Sequence, residues 1–180
     1  MNKAAFIDRD GVLNEDREFV CRSADFHFIP GSIAALRALR EAGYRLVVIT
    51  NQSGIGRGLF SEADYLELQA YMRARLEQAG VVLDDIEYCP HAPEAGCECR
   101  KPRPGMILSA IRKLAVEPSR SLLVGDRAAD IEAGRAAGVG GCFLVRSGKP
   151  LATGDAQLAD GVYPDLAACV AALLRQDRPY

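Results

Sequence analysis

The stretch Phe6-Ile7-Asp8-Arg9-Asp10-Gly11-Val12-Leu13-Asn14 places two carboxylates and a glycine directly after the apolar run 4–7. If that run is a strand, Asp8 and Asp10 lie just past its carboxyl end, where open α/β sheets bind ligands. Residues i and i+2 of an extended chain point the same way, so both carboxyls can face one substrate. An isolated Asp-x-Asp is more often a solvated turn. The rest of the chain has to decide between the two interpretations.

Apolar runs typical of strands alternate with helical patterns along the rest of the chain. After the run 4–7, strands are predicted at 45–50, 84–88, 121–124 and 142–145. Helices are predicted at 32–42, 61–79, 104–114, 128–137 and 165–174. Ser32 is predicted to be the N-cap of the first helix, and Ser61 with Asp64 resembles a capping box at the start of the second. Residues 11–30, the polar, glycine-rich segment 50–58 and residues 147–161 are predicted to be loops.

This alternation predicts right-handed βαβ units and a mostly parallel sheet with helices on both faces. The connections after Asp10 and Thr50 are too short for a large cap domain, and no repeat or linker divides the chain. We therefore predict one doubly wound, Rossmann-like α/β domain over residues 1–180.

The composition excludes several classes of protein. With 26% charged residues, a net charge of −2 and no Lys/Arg run, the chain has no electrostatic footprint for nucleic acid. It has no apolar run near the ~20 residues that span a bilayer, and its amino terminus does not resemble a signal peptide. We expect a cytoplasmic protein with no membrane partner, of a size and polarity that fit a monomer.

Polar residues follow four of the predicted strands. They are Asp8 and Asp10, Thr50 and Asn51, the Cys-rich loop that leads into Arg100 and Lys101, and Asp126 with Asp130. The carboxyl ends of parallel strands meet at one edge of a sheet, so these side chains should converge. Carboxylates, a hydroxyl and a lysine together indicate a site for Mg²⁺ and a phosphoryl group.

The same residues resemble the four motifs of the haloacid dehalogenase-like phosphatases: Asp8-Arg9-Asp10-Gly11, Thr50, Lys101 and Gly125-Asp126-x-x-x-Asp130. Two further segments are similar to those of the D-glycero-D-manno-heptose-1,7-bisphosphate phosphatases. These are Thr50-Asn51-Gln52-Ser53-Gly54-Ile55-Gly56-Arg57-Gly58 and Cys89-Pro90-His91 with Cys97-Glu98-Cys99-Arg100-Lys101-Pro102. The motifs span residues 4 to about 150 in order, so the resemblance covers most of the chain.

The resemblance implies a phosphomonoesterase that works through an aspartyl-phosphate. Asp8 would be the nucleophile and Asp10 the general acid and base. Mg²⁺ would be held by Asp8, the backbone carbonyl of Asp10 and Asp126. Thr50 and Lys101 would stabilise the phosphoryl oxygens.

The resemblance also implies a substrate-binding set, which comprises Asn51, Gln52, Ser53, Arg100 and Arg127. Arg127 could equally be a solvated side chain. Asp130 is expected to support the site through hydrogen bonds, or to cap a helix N-terminus. Arg146 and Lys149 could belong to the substrate rim, although exposure to solvent alone explains them as well.

A second metal site is predicted at about 89–104. Cys89, His91, Cys97 and Cys99 form the ligand set of a closed, structural Zn²⁺ site, and the family pattern agrees. Reduced cysteines, or a redox pair of Cys97 and Cys99, are the alternatives. Zinc bound in this loop would hold in place the side chains of Arg100 and Lys101, which follow it directly.

The expected substrate is a small phosphorylated sugar, heptose 1,7-bisphosphate, on the route to lipopolysaccharide or surface glycans. The short interval between His91 and Cys97 also resembles histidinol-phosphate phosphatases, so histidinol phosphate remains an alternative substrate. A nucleic-acid 3′-phosphatase would need a basic groove for the strand, and the net charge of −2 argues against one. A non-catalytic zinc module would leave Asp8, Asp126 and Lys101 unexplained.

Overall fold

Six parallel strands form the centre of the fold in a computed structural model that describes residues 2–176. The strands are β1 (Lys3–Ile7), β2 (Tyr44–Asn51), β3 (Asp85–Cys89), β4 (Leu122–Gly125), β5 (Gly141–Val145) and β6 (Gly161–Tyr163). Their order across the sheet is β3-β2-β1-β4-β5-β6, and all neighbouring pairs are parallel. The strand order reverses between β1 and β4. In open α/β sheets the crevice outside such a point is the usual ligand site.

Helices cover both faces of this sheet. They are α1 (Ser32–Glu41), α2 (Ser53–Gly56), α3 (Glu62–Gln78), α4 (Gly105–Leu114), α5 (Ala128–Ala136), α6 (Asp155–Leu158) and α7 (Leu166–Gln176). Successive side chains of a strand point to opposite faces, and β1 divides accordingly. Ala5 and Ile7 pack in one core with residues of α1, α3 and α7, whereas Ala4 and Phe6 pack in the other with residues of α4 and α5. The predicted doubly wound α/β architecture is confirmed.

Three local predictions were wrong. The N-cap of α1 is Gly31, with φ of 84°, and the Ser32 hydroxyl donates instead to the Leu13 carbonyl at 3.1 Å. Residues 147–161 are not only loop, since they contain α6 and the first residue of β6. The polar loop after β2 likewise contains the single-turn helix α2. A three-residue strand and one-turn helices are too short to show a period in the sequence.

The chain between β1 and α1 folds back over the sheet edge without forming a cap domain. Backbone hydrogen bonds join the outgoing and returning halves of this segment, including Ile29 N to Leu13 O and Glu15 N to His27 O, both 2.9 Å. Its central part, residues 15–22, is called the mouth segment below. The predicted domain span also includes residue 1 and residues 177–180, which lie outside the described residues. No helix between residues 2 and 176 has both the length and the apolar character that crossing a bilayer requires.

Candidate active site and metal centres

A pocket of about 320 Å³ opens at the carboxyl ends of β1 and β2. Most of the side chains predicted from the sequence line it: Asp8, Asp10, Thr50, Asn51, Gln52, Ser53, Arg100, Lys101, Arg127 and Asp130. Asp126 is 1% exposed and lies against two of them, with carboxylate oxygens of Asp8, Asp126 and Asp130 all within 4.8 Å of one another. The sheet therefore brings together residues that are more than 100 positions apart in the sequence.

Lys101 is a buried cation between two buried carboxylates. Its Nζ lies 3.0 Å from Asp8 Oδ1 and 2.6 Å from Asp130 Oδ1, and it donates to the Ile49 carbonyl at 3.0 Å. Burial alone would lower the pKa of Lys101, but Asp130 and Asp8 outweigh it and raise the pKa above its ordinary value. Lys101 therefore stays charged and faces the position where a phosphoryl group would enter.

Asp8 and Asp126 lie with Asp130 in a cluster of three carboxyl groups, and the single positive charge of Lys101 does not balance them. Burial raises the pKa of Asp8 well above its ordinary value, with the neighbouring aspartates adding to the effect and Lys101 opposing it. Burial and Asp130 raise the pKa of Asp126 to about 6. Asp126 Oδ2 accepts from the Lys149 backbone N–H at 2.9 Å, whereas its Oδ1 is buried without a hydrogen-bond partner among the described residues.

These properties fit a divalent cation. An orphaned buried carboxylate oxygen is unfavourable unless something positive binds it, and Mg²⁺ takes carboxylate oxygens as ligands. Two glycines leave space for the Asp126 carboxylate. A Cβ on Gly11, whose φ is 86°, would lie 2.6 Å from Asp126 Oδ2, and a Cβ on Gly148 would overlap the same atom.

Asp130 supports the site rather than presenting a free oxygen. Its Oδ2 accepts from the backbone N–H groups of Asp126 and Arg127, at 3.2 and 3.1 Å, at the N-terminus of α5. Its Oδ1 is paired with Lys101. The carboxylate thus links the end of β4, the start of α5 and the buried lysine.

Asp10 accepts hydrogen bonds from the side chains of Arg9, Asn14 and Gln52, of which only Gln52 is a predicted site residue. Arg9 donates to both carboxylate oxygens, through Nε at 3.2 Å and Nη2 at 2.9 Å. Asn14 Nδ2 and Gln52 Nε2 each donate to one oxygen at 3.0 Å. Gln52 also donates to Thr50 Oγ1 at 2.8 Å, so it connects the ends of β1 and β2. Nothing in the sequence pattern distinguished Arg9 or Asn14 from turn residues.

Asn51 fixes the backbone of Lys101. Its Nδ2 donates to the Lys101 carbonyl at 3.2 Å, and its Oδ1 accepts from the Lys101 N–H at 3.1 Å. This reciprocal pair joins the end of β2 to the loop that carries the buried cation. Both ends of the amide are therefore engaged with the protein, although Asn51 also lines the pocket.

The mouth of the pocket carries alternating charges. Lys149 Nζ lies 3.5 Å from Asp16 and 3.4 Å from Glu18, and Arg127 lies 3.4 Å from Asp16. Arg57 also lines the mouth and stacks over the Phe19 ring at 5.7 Å. Lys149 therefore belongs to the pocket rim, whereas the exposed Arg146 does not line it.

Arg100 is less exposed than Arg57 and Arg127. It is half-buried and lines the pocket, and its Nη1 has no hydrogen-bond partner among the described residues. A buried guanidinium N–H without an acceptor is available to an anionic ligand.

The Cys-rich loop gathers its four predicted ligands around one point. Cys89 Sγ lies 3.5 Å from Cys97 Sγ and 3.0 Å from Cys99 Sγ, and His91 Nδ1 lies 3.2 Å from Cys99 Sγ. Ligands of a tetrahedral zinc with bonds of ~2.3 Å are roughly 3.8 Å apart, so only small shifts would be needed. Three thiols and one imidazole, all within 4.8 Å of one another, fit a closed zinc site.

Comparison with known proteins shows the family of this chain. Residues 7–138 match the sequence model of the haloacid dehalogenase-like hydrolases. The chain is 46% identical to the D-glycero-beta-D-manno-heptose-1,7-bisphosphate 7-phosphatase of Pasteurella multocida, over 93% of this chain and 94% of that protein. It is 48% identical to the enzyme of the same name from Haemophilus influenzae, over 90% and 91%.

A solved structure shows the same similarity. The crystal structure of D,D-heptose 1,7-bisphosphate phosphatase from B. bronchiseptica, complexed with magnesium and phosphate, superposes with a TM-score of 0.85 at 36% identity. The match covers 97% of this chain and 99% of that one.

Proposed function

This chain belongs to the haloacid dehalogenase-like hydrolases, and within them to the D-glycero-D-manno-heptose-1,7-bisphosphate 7-phosphatases; on this premise we propose the reaction that its site carries out. It removes the 7-phosphate of D-glycero-β-D-manno-heptose 1,7-bisphosphate. The observation that carries the proposal is the position of Lys101. It contacts the carboxylates of Asp8 and Asp130 in a pocket beside Asp126 Oδ1, which accepts no hydrogen bond from the described residues and has only Arg127 Nε at 3.8 Å as an ion-pair partner.

Asp8 acts as the nucleophile in the first step. Its Oδ1 is fixed by Lys101 and by the Arg9 backbone N–H at 2.8 Å. A carboxylate oxygen of Asp8 attacks phosphorus and the bond between phosphorus and the sugar oxygen breaks. Asp10 gives its proton to that oxygen, so the sugar leaves as an alcohol.

Hydrolysis of the aspartyl-phosphate follows. Asp10, now ionised, takes a proton from water as the water oxygen attacks phosphorus, and the bond between Asp8 and phosphorus breaks. Inorganic phosphate leaves and both aspartates return to their starting forms. Lys101 and Thr50 orient the phosphoryl oxygens, because positioning and charge neutralisation carry most of phosphoryl transfer.

Asp8, Asp126 and the backbone carbonyl of Asp10 would hold Mg²⁺. When bound, the ion neutralises phosphoryl charge and keeps the neighbouring aspartates ionised. The raised pKa values of Asp8 and Asp126 support this part of the proposal, since both carboxylates lack a full complement of positive charge.

The second phosphate of the substrate remains near the pocket mouth. Arg100 and Arg127 are proposed to bind the departing sugar phosphate, with Ser53 contributing a hydroxyl at the N-terminus of α2. Arg57 and Lys149 add positive charge at the same rim. The open mouth suits a small bisphosphate, and the relatives' names suggest the β anomer.

The substrate is tested by comparing kcat/KM for the α and β anomers of heptose 1,7-bisphosphate and for histidinol phosphate, since that ratio measures specificity. We expect Mg²⁺-dependent phosphate release to be most efficient with the β anomer, and the remaining product to be a 1-phosphate. A higher kcat/KM for histidinol phosphate would refute the substrate assignment but leave the phosphatase chemistry intact.

The nucleophile is tested by the Asp8→Asn variant. We expect kcat to fall by at least about 1,000-fold while the fold is retained, because loss of a covalent nucleophile costs several orders of magnitude. Asp85→Asn is a suitable control, since Asp85 begins β3 at the opposite edge of the sheet and pairs with Lys113. Residual activity of Asp8→Asn within a few-fold of the control would exclude Asp8 as the nucleophile.

We propose a structural Zn²⁺ held by Cys89, His91, Cys97 and Cys99. Metal analysis should give about one zinc per chain, as a four-ligand closed site requires. Cys99→Ser should lose this zinc, whereas Cys21→Ser, which changes a cysteine outside the cluster, should retain it. A zinc-free preparation of the unmodified protein with full activity would contradict the proposal.

A further inference from the structure

Arg9 lies between the two aspartates of the active site, and its environment is unusual for an arginine. The side chain is 2% exposed, although arginine is rarely fully buried unless it is paired. Its Nε and Nη2 form a fork on Asp10, and Nη2 also donates to the Val20 carbonyl at 3.0 Å. The guanidinium also lies 5.8 Å from the centre of the Tyr65 ring.

The guanidinium is not fully satisfied. Its Nη1 is buried and has no hydrogen-bond partner among residues 2–176. A buried donor without an acceptor opposes folding, so stability alone is a poor explanation for a buried arginine here. The side chain is instead arranged around the carboxylate of Asp10, the one group of this ion pair that reaches the pocket.

We infer that Arg9 is a positioning residue, which holds the Asp10 carboxylate at the distance and angle from which it exchanges a proton with the sugar oxygen. This inference rests on the proposed phosphatase function. A general acid has to lie within hydrogen-bond reach of the atom that it protonates. The planar fork of an arginine fixes a carboxylate in orientation as well as in distance, which a lysine cannot do.

Arg9 also connects Asp10 to the mouth segment. The Val20 carbonyl that it binds belongs to that segment, which places Glu18 and Phe19 at the entrance of the pocket. Asn14 and Gln52 complete the set of donors to Asp10. They contact one oxygen each, whereas Arg9 contacts both oxygens and also donates through Nη2 to the Val20 carbonyl.

The test compares two esters that differ in their need for a general acid. A sugar alkoxide leaves only with a proton, whereas p-nitrophenolate leaves without one. The ratio kcat/KM reports the steps up to release of the leaving group. Arg9→Met should lower kcat/KM for the heptose bisphosphate by about 30-fold or more, which is part of the roughly 100- to 10,000-fold that general acid–base catalysis contributes. For p-nitrophenyl phosphate it should fall by less than about threefold, because Arg9 acts on proton transfer alone.

A double variant identifies the residue through which Arg9 acts. Arg9→Met combined with Asp10→Asn should be no slower on the sugar ester than Asp10→Asn alone, because the positioned group is already absent. Arg45→Met, which removes an arginine paired with Asp84 away from the pocket, should leave both esters unaffected. Arg9→Lys keeps the charge but loses the fork, and it should show the same selective loss on the sugar ester to a smaller degree.

Three outcomes would overturn the inference: equal losses on both esters, no loss on the sugar ester, or additive losses in the double variant. If Arg9→Met does not fold, Arg9→Lys provides the same comparison of esters. Failure of the proposed function has a different signature, since the unmodified protein would then release little or no phosphate from the heptose bisphosphate.

Discussion

Replacing Asp126 with asparagine should stabilise the magnesium-free protein at neutral pH while it removes activity. Asparagine has the shape of the protonated aspartic acid and can still accept the hydrogen bond from the Lys149 N–H. It removes one negative charge from a buried cluster in which Asp8 and Asp130 remain. The structure therefore predicts that Asp126, which we propose to bind Mg²⁺, opposes folding when the metal is absent.

The size of the effect follows from the pKa of Asp126. Burial and Asp130 raise this pKa from 3.8 to about 6. A raised pKa means that the folded state holds the proton more tightly than the unfolded state, so stability is greatest below pH 4 and falls as the pH rises through 6. Each tenfold change in proton binding is worth about 1.4 kcal/mol, which gives a penalty of about 3 kcal/mol at pH 7.

Urea unfolding of the unmodified protein and the variant, followed between pH 4 and pH 8 in magnesium-free buffer, measures this penalty. The buffer should contain no chelator, because a chelator would also remove zinc from the proposed cysteine site. The free energy of unfolding of Asp126→Asn should match that of the unmodified protein near pH 4 and exceed it by about 3 kcal/mol at pH 7. Saturating Mg²⁺ at 100 times its dissociation constant should add roughly 2.7 kcal/mol to the unmodified protein alone.

Asp160→Asn is the matched control with the opposite sign. The hydrogen bond from Arg135 lowers the pKa of Asp160, so its carboxylate stabilises the fold above its unfolded pKa and loses this effect as the pH falls through the folded value. Its replacement should weaken the protein at pH 7 and leave the response to Mg²⁺ unchanged. The reasoning about Asp126 fails if Asp126→Asn is less stable than the unmodified protein at pH 7, or if the difference does not change with pH.

Two further predictions concern the charges and space around the same cluster. Lys101→Met should lower the free energy of unfolding of the metal-free protein by about 3–5 kcal/mol, because it leaves the carboxylates of Asp8 and Asp130 buried without their cation. Urea unfolding measures this difference, and a free energy of unfolding within about 1 kcal/mol of that of the unmodified protein would contradict the prediction. Gly148→Ala should displace the Asp126 carboxylate, since the added Cβ would overlap its Oδ2. The Mg²⁺ concentration for half-maximal activity should then rise by about tenfold or more, because metal affinity depends on the groups that orient the ligands. An unchanged Mg²⁺ concentration for half-maximal activity would contradict this prediction and show that the carboxylate has room to adapt.

The sequence predicted the elements whose patterns are long or whose ends carry distinctive residues. The buried run that became β2 and the capping box of Ser61 and Asp64 at α3 are examples, and both are present. Because the predicted strands are parallel, their carboxyl ends are expected at one edge of the sheet. That rule alone brought Asp8, Lys101 and Asp126 together.

The residues that the sequence did not reveal act through contacts that only the folded chain creates. Arg9 lies inside a predicted motif, but its fork on Asp10 and its bond to the Val20 carbonyl depend on how the mouth segment folds back. For Lys149 the sequence left open whether the side chain belongs to the substrate rim or only to the solvated surface; its pairs with Asp16 and Glu18 place it at the rim. Ser32 was misassigned because glycine with positive φ can take the capping position that its hydroxyl would otherwise fill.

The pocket has a floor of buried ion pairs and a mouth of exposed charged residues, and replacements in these two parts have different consequences. Floor residues such as Lys101 and Asp130 are buried in shared ion pairs, so single replacements there affect the fold and the chemistry together. Mouth residues such as Glu18, Arg57 and Arg127 lie on exposed loops, where substitutions usually change stability by only about 0.5 kcal/mol. Replacements at the mouth can therefore change substrate preference with little cost to the fold, whereas replacements at the buried ion pairs cannot.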